Sequence, residues 1–131
     1  MIAEHDFSFE NLNVYQLVRG FVRDVYLVQK GFPAEERFAL CDQIRRALIS
    51  ISSNLAEGSG RDSFKEKIHF VNISYGSLME VYSQLQLSVD LGFLSQTKFD
   101  LLRQDIINIA KMLSGLKSSF EKRLVSASSN V

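Results

Sequence analysis

The sequence holds one cysteine, one proline and no tryptophan, and its 15 Lys and Arg cancel its 15 Asp and Glu to a formal net charge of zero. Each shortage excludes something. Cys41 alone cannot close an internal disulfide, and its presence is compatible with a reducing compartment. A neutral total removes the long-range pull toward phosphate backbones that a dedicated nucleic-acid binder carries. No eighteen apolar residues run together, so nothing here reads as a transmembrane span. The opening Met-Ile-Ala-Glu-His-Asp-Phe places acids where a secretory leader needs a basic start, which predicts no export signal and a cytoplasmic location.

What is present describes one soluble domain. The chain has 131 residues, 46% of them hydrophobic and 23% charged, enough for a core without metal or disulfide. Helical period dominates it. Val14, Leu17, Val18, Phe21, Val22 and Val25 share one face of a first helix, about 12–30, which Gly31 stops. Pro33 suits the first turn of a second helix, 34–57, with Cys41, Ile44, Leu48, Ile51 and Leu55 three and four apart. Gly58-Ser59-Gly60-Arg61-Asp62 breaks the chain, its glycines free to adopt the positive φ of a helix end. Ser63 and Glu66 then form a capping box for a third helix, 64–91. Its seam is Phe64, Ile68, Val71, Tyr75, Leu78, Tyr82, Leu85 and Val89. After Gly92, Thr97 is the expected cap of a fourth helix, 97–124, carrying Phe99, Leu102, Ile106, Ile109, Leu113, Leu116 and Phe120. Residues 1–11 and 125–131 read as tails. No stretch alternates with period two, so the prediction is all-α: an antiparallel up-down-up-down four-helix bundle with short connectors.

With that seam turned inward, the third helix shows Glu66, Phe70, Ile73, Ser77, Glu80, Gln84, Leu87 and Leu91 on its other side, half of them apolar. A helix of about 28 residues spans about 40 Å, a long surface for a second subunit, and a homo-oligomer is expected. The plainer alternative is a broad core stripe. On the second helix, Arg46 either pairs with Asp42 one turn away or meets Glu80 at a subunit boundary.

Chemistry is sparse. Glu66-Lys67-Ile68-His69 has the Glu-x-x-His form of di-metal bundles, but such sites need two of these helices and two further inward glutamates, and the second histidine, His5, lies in the first tail. Cys41 lies on an apolar seam without a neighbouring base. Gly58 and Gly60 lack the Gly-Lys-Ser/Thr ending of a phosphate loop. No catalytic residue, metal or cofactor is expected. Basic residues gather at Arg45, Arg46, Arg61, Lys65 and Lys67 and again at Lys111, Lys117, Lys122 and Arg123, without interleaved aromatics. In an oligomer, symmetry would multiply such patches, so nucleic acid stays as an alternative partner.

Arg46-Ala47, Ser50-Ile51, Asn54-Leu55-Ala56-Glu57-Gly58, Arg61, Ser63, Glu66, Phe70, Gly76-Ser77 and Glu80 together resemble the signature of the bacterial four-helix bundle protein family, also called the 23S rRNA intervening-sequence protein family. The likeness runs from Leu12 to Leu116, with Leu55 where the family often has isoleucine. It implies a bundle assembling as a ring, typically a homopentamer. Some members are encoded inside intervening sequences of 23S rRNA genes. A related group, the strongly basic accessory variability proteins of diversity-generating retroelements, binds nucleic acid and a reverse transcriptase. Within this frame Arg46, Phe70, Ile73, Ser77, Glu80 and Leu87 are the expected subunit interface. The polar residues Arg46, Asn54, Glu57, Arg61, Ser77 and Glu80 are expected chiefly to hold the loop between the second and third helices and the subunit contacts, and the alternative is that Asn54, Glu57, Arg61 and Lys65 form a surface for a nucleic acid or another partner. The leading expectation is a non-enzymatic, self-assembling scaffold or interaction protein, and the alternative is a nucleic-acid-binding accessory factor.

Overall fold

Leu, Ile and Val recurring at three- and four-residue spacing do what the pattern requires in the computed structural model, which describes residues 7–129. These residues form α1 (Asn13–Gln29), α2 (Leu40–Ser59), α3 (Phe64–Asp90) and α4 (Gln96–Ser129), with short 3-10 helices at Ser8–Asn11 and Ala34–Glu36. There is no strand among the described residues.

Each helix packs on the next in sequence, and α1 also packs on α4, which closes a square. Adjacent helices run in opposite directions: late α2 meets early α3 where Lys67 reaches Ser59, and mid α2 meets mid α3 at Ser50 and Ser77. Likewise Phe64, opening α3, stacks near Phe120 of late α4, while Tyr82 lies over Phe99 at the start of α4. This is the up-down bundle. Val18, Phe21, Val25, Ile44, Leu48, Ile51, Leu78, Leu85, Ile109 and Leu113 fill its centre. Full burial of each such side chain is worth about 1.5–3 kcal/mol before the entropy of ordering is subtracted.

Several boundaries depart from the expected ones. The second helix begins at Leu40, not at residue 34. Residues 34–39 offer no apolar stripe to a continuous helix, and the turn there buries Phe32 against Phe93 while the Glu36 carboxylate accepts from the Leu40 N–H. Ser95, not Thr97, supplies the oxygen at the start of α4, accepting from the Lys98 N–H at 3.2 Å. Helix α4 continues past residue 124 to Ser129, because 121–129 contain no Gly or Pro to stop it. Of the expected first tail, residues 1–6 lie outside the described residues and Ser8–Asn11 is a 3-10 turn. Only one glycine uses a positive φ among the described residues: Gly92 at +79°, where the Phe93 and Leu94 N–H groups turn back to the Ser88 carbonyl. Gly58 stays helical, and its need is space, since a Cβ there would lie 2.7 Å from the Cβ of Phe70.

The inner face of α3 is also rotated from the expected seam. Tyr75 is exposed, and Ser74, Ser77 and Ser88 are buried with Val71, Leu78, Val81 and Leu85. Small side chains let α2 and α3 approach closely, and the Ser74 and Ser77 hydroxyls find partners on α2 while Ser88 donates to the Gln84 carbonyl of its own helix, which a hydropathy pattern does not register.

Candidate interaction surfaces

The contact between α2 and α3 is built on serines. The Ser74 hydroxyl donates to the Ile51 carbonyl at 3.0 Å, and the Ser50 and Ser77 hydroxyls lie 2.7 Å apart. Asn54 joins them, its Nδ2 donating to the Ser50 carbonyl at 2.8 Å and to the Ser50 hydroxyl at 3.1 Å. Ser77 and Asn54 therefore take the structural reading, not the interface and partner-surface ones. Ser77 is buried inside the chain, so it is not an outward interface position, and Asn54 is bonded into the same network instead of offering its amide to a partner. The spacing of apolar residues concealed this, because a buried serine is silent in that count.

The α2–α3 corner consumes most of its charge. Arg61 pairs with Glu57 at 3.1 Å and lays its guanidinium over Phe70, 4.9 Å from the ring centroid. The Lys67 ammonium donates to the carbonyls of Ser59 (3.0 Å) and Gly58 (3.5 Å), satisfying the end of α2. The Ser63 oxygen accepts from the Glu66 N–H at 3.1 Å, but Glu66 turns its carboxylate to the Ser63 hydroxyl rather than to the backbone, so the capping box is half formed. Phe70 is half-buried by Gly58 and Arg61, leaving a shallow hollow of about 380 Å³ among Arg61, Lys65, Glu66, His69 and Phe70. Lys65, Glu66 and His69 are exposed.

Farther along α3 the outer side is open. Ile73, Glu80 and Leu87 recur every seven residues, with Leu91 one turn beyond, and Ile73, Leu87 and Leu91 are 36%, 50% and 58% exposed. Between them Gln84 donates from Nε2 to Glu80, and its Oε1 is buried with no donor among the described residues. Arg46 pairs with Asp42 at 3.0 Å and makes no ion pair with Glu80 inside the chain. An exposed pair of this kind contributes a few tenths of a kcal/mol.

Sequence reasoning passed over two features. Phe38, within the span expected for the second helix, stands 87% exposed beside Arg37. A cleft at the α1–α2 corner gathers Lys30, Arg37 and Arg45, whose proximity no linear spacing signals. Cys41 is buried at that corner, where burial raises its thiol pKa, with Arg45 pulling the other way and Glu36 adding.

Among the described residues, no helix is long and apolar enough to cross a membrane. Residues 10–115 match the family model described as 23S rRNA-intervening sequence protein. No curated protein matches the chain by sequence. Among solved structures, the chain is similar to a protein of unknown function from the S23 ribosomal protein family of Bacteroides thetaiotaomicron VPI-5482. The two share 23% identity and a TM-score of 0.73 over 80% of this chain and 95% of that one, a likeness of fold.

Proposed function

The chain belongs to the 23S rRNA-intervening sequence protein family, and on that premise we propose that it works as a non-enzymatic, self-assembling bundle, a cytoplasmic scaffold or interaction protein. The observation that carries this reading is the open apolar line Ile73, Leu87 and Leu91 on α3. Apolar residues aligned on one helix face, with a rim of Glu80 and Gln84, are the surface that a second protein covers at least cost in desolvated charge. A ring, pentameric in this proposal, uses heterologous contacts, so the line on α3 would meet a different patch on its neighbour. Leu101 and Met112, both exposed and three turns apart on one side of α4, are of the right character. Glu80 and Arg46 would then lie at the margin of the contact, with Phe70 at its end.

The alternative, a nucleic-acid-binding accessory factor using Asn54, Glu57, Arg61 and Lys65, is less favoured. Asn54 is turned inward and Glu57 neutralises Arg61, which leaves Lys65 as the free cation of that set.

Light scattering coupled to size exclusion tests the assembly. A mass of several chains is expected, and a mass near one chain would refute it. Ile73→Asp should split the oligomer, because an unpaired charge in an interface costs several kcal/mol. Unchanged mass in that variant would remove Ile73 from the contact.

A further inference from the structure

Where α1 ends and α2 begins, the chain encloses a cleft of about 540 Å³. We propose that this corner binds a nucleoside phosphate, a role independent of assembly through α3. Its volume falls in the range of small-ligand sites. Three cations from three separate segments line it: Lys30 at the end of α1, Arg37 in the connector and Arg45 on α2. None of the three makes an ion pair with an acid among the described residues. Arg45 is held in place by donating to the Arg37 carbonyl at 2.8 Å, and the nearby Glu36 accepts from the Leu40 N–H. Positive groups converging with no carboxylate ion-paired to them, the nearby Glu36 being engaged by the Leu40 N–H, suit a ligand of more than one negative charge. Guanidinium forks suit phosphate in particular.

The opening of α2 adds to this field. Cys41, in its first turn, lines the cleft, so the positive end of the helix dipole lies beside it. The opposing end of α1 is quieted, because the carbonyls of Leu27, Val28 and Gln29 accept from Lys30, Gly31 and Phe32.

Two further features select a ring-bearing ligand over a bare anion. Tyr26 lines both this cleft and a second hollow of about 410 Å³ along Arg19, Arg23 and Leu27, and its partly open ring is a face on which a base can stack. Gln29, 8% exposed, donates from Nε2 to the Cys41 carbonyl at 3.1 Å, which fixes the orientation of its amide. Its Oε1 is buried with no donor among the described residues, an unpaired acceptor on a residue that lines the cleft, and the proposed ligand would complete it with an N–H or O–H if the amide turned outward. Burial raises the pKa of the Cys41 thiol, with Arg45 pulling it down and Glu36 adding to the rise, and the proposed role of the corner is binding.

The test is an amide NMR titration of the whole chain at low salt with ADP, inorganic phosphate, adenosine and a short RNA carrying a 5′-phosphate. ADP should shift amides between Tyr26 and Arg45, phosphate should shift the same set more weakly, and adenosine should be weaker than ADP. Lys30→Glu and Arg37→Glu, each keeping the circular dichroism of the parent, should each weaken ADP by about fivefold or more. If the RNA displaces ADP, the ligand is a strand terminus; if it does not, the ligand is a free nucleotide, and both results support the site. No shift with ADP up to about 10 mM, RNA binding without ADP binding, shifts confined elsewhere, or unchanged affinity in both variants would each overturn it.

Discussion

The two corners at the ends of α2 are made of similar residues and behave oppositely. At the α2–α3 corner, Arg61 is engaged by Glu57 and Phe70, and Lys67 closes the end of the helix. At the α1–α2 corner, Lys30, Arg37 and Arg45 converge on a cleft with no acid paired to them. Composition alone does not separate a structural cation from an available one. What separates them is whether a carboxylate or an orphan helix carbonyl lies within reach once the chain has folded.

The largest effect that would sharpen this comparison comes from packing. Gly58→Val should destabilise the bundle by about 2–3 kcal/mol in urea denaturation, because the new Cβ would meet the Cβ of Phe70 at 2.7 Å and one helix must shift to admit it. At the other corner, Gly31→Ala, whose nearest neighbour to the new Cβ is the Val28 carbonyl at 3.6 Å, should stay within about 0.5 kcal/mol of the parent. Equal losses in the two variants would break the distinction.

A smaller effect is expected at the cap. Ser63→Ala removes the oxygen that accepts from the Glu66 N–H and should cost about 1 kcal/mol, read as a lower urea midpoint with unchanged slope. Lys30→Ala, which removes a cation with no ion-pair partner, should leave that midpoint in place.

The smallest effect concerns charge that is packed without a partner. Burial, and then the carboxylate of Asp24 on α1, raise the pKa of Asp105 above its ordinary value. The folded state therefore holds this proton more tightly than the unfolded chain does. Stability should fall as pH rises through the interval between the ordinary and the raised value. Asp105→Asn should remove that slope and raise the thermal midpoint slightly at neutral pH. A midpoint that drops, or an unchanged pH dependence, would contradict the assignment.

Much of the fold could be read in advance. The seam of α2 is buried as its spacing requires, and so are most of those of α1 and α4, with Leu17, Val22, Leu116 and Phe120 partly buried against the core, since a residue such as Ile44 or Ile109 has no comparably favourable place outside it. On α3 the reading was partial. Leu78 and Leu85 were placed correctly, whereas Tyr75 faces outward and Ser74 and Ser77 face α2. A tyrosine can keep its hydroxyl wet, and a serine can be buried once its hydroxyl is bonded, so hydrophobicity orders the two wrongly here. The candidate site was less legible. Ile73, Glu80 and Leu87 remain on the outer side of α3, but Ser77 and Asn54 became parts of the α2–α3 contact. The corner cleft went unseen because Lys30, Arg37 and Arg45 belong to no common helical face.

Apolar residues three and four apart, punctuated by Gly31, Ser63 and Gly92, determined by themselves that this chain would make four helices and bury one stripe of each. Those signals are local: they depend on backbone geometry and on how much grease each turn carries. Which side of α3 met α2, which cations lost their freedom and which were left around an open cleft were decided only by the tertiary structure. Hydroxyl pairing, a missing Cβ and the convergence of charges from separate segments are relations between distant residues, and they exist only once the helices lie side by side.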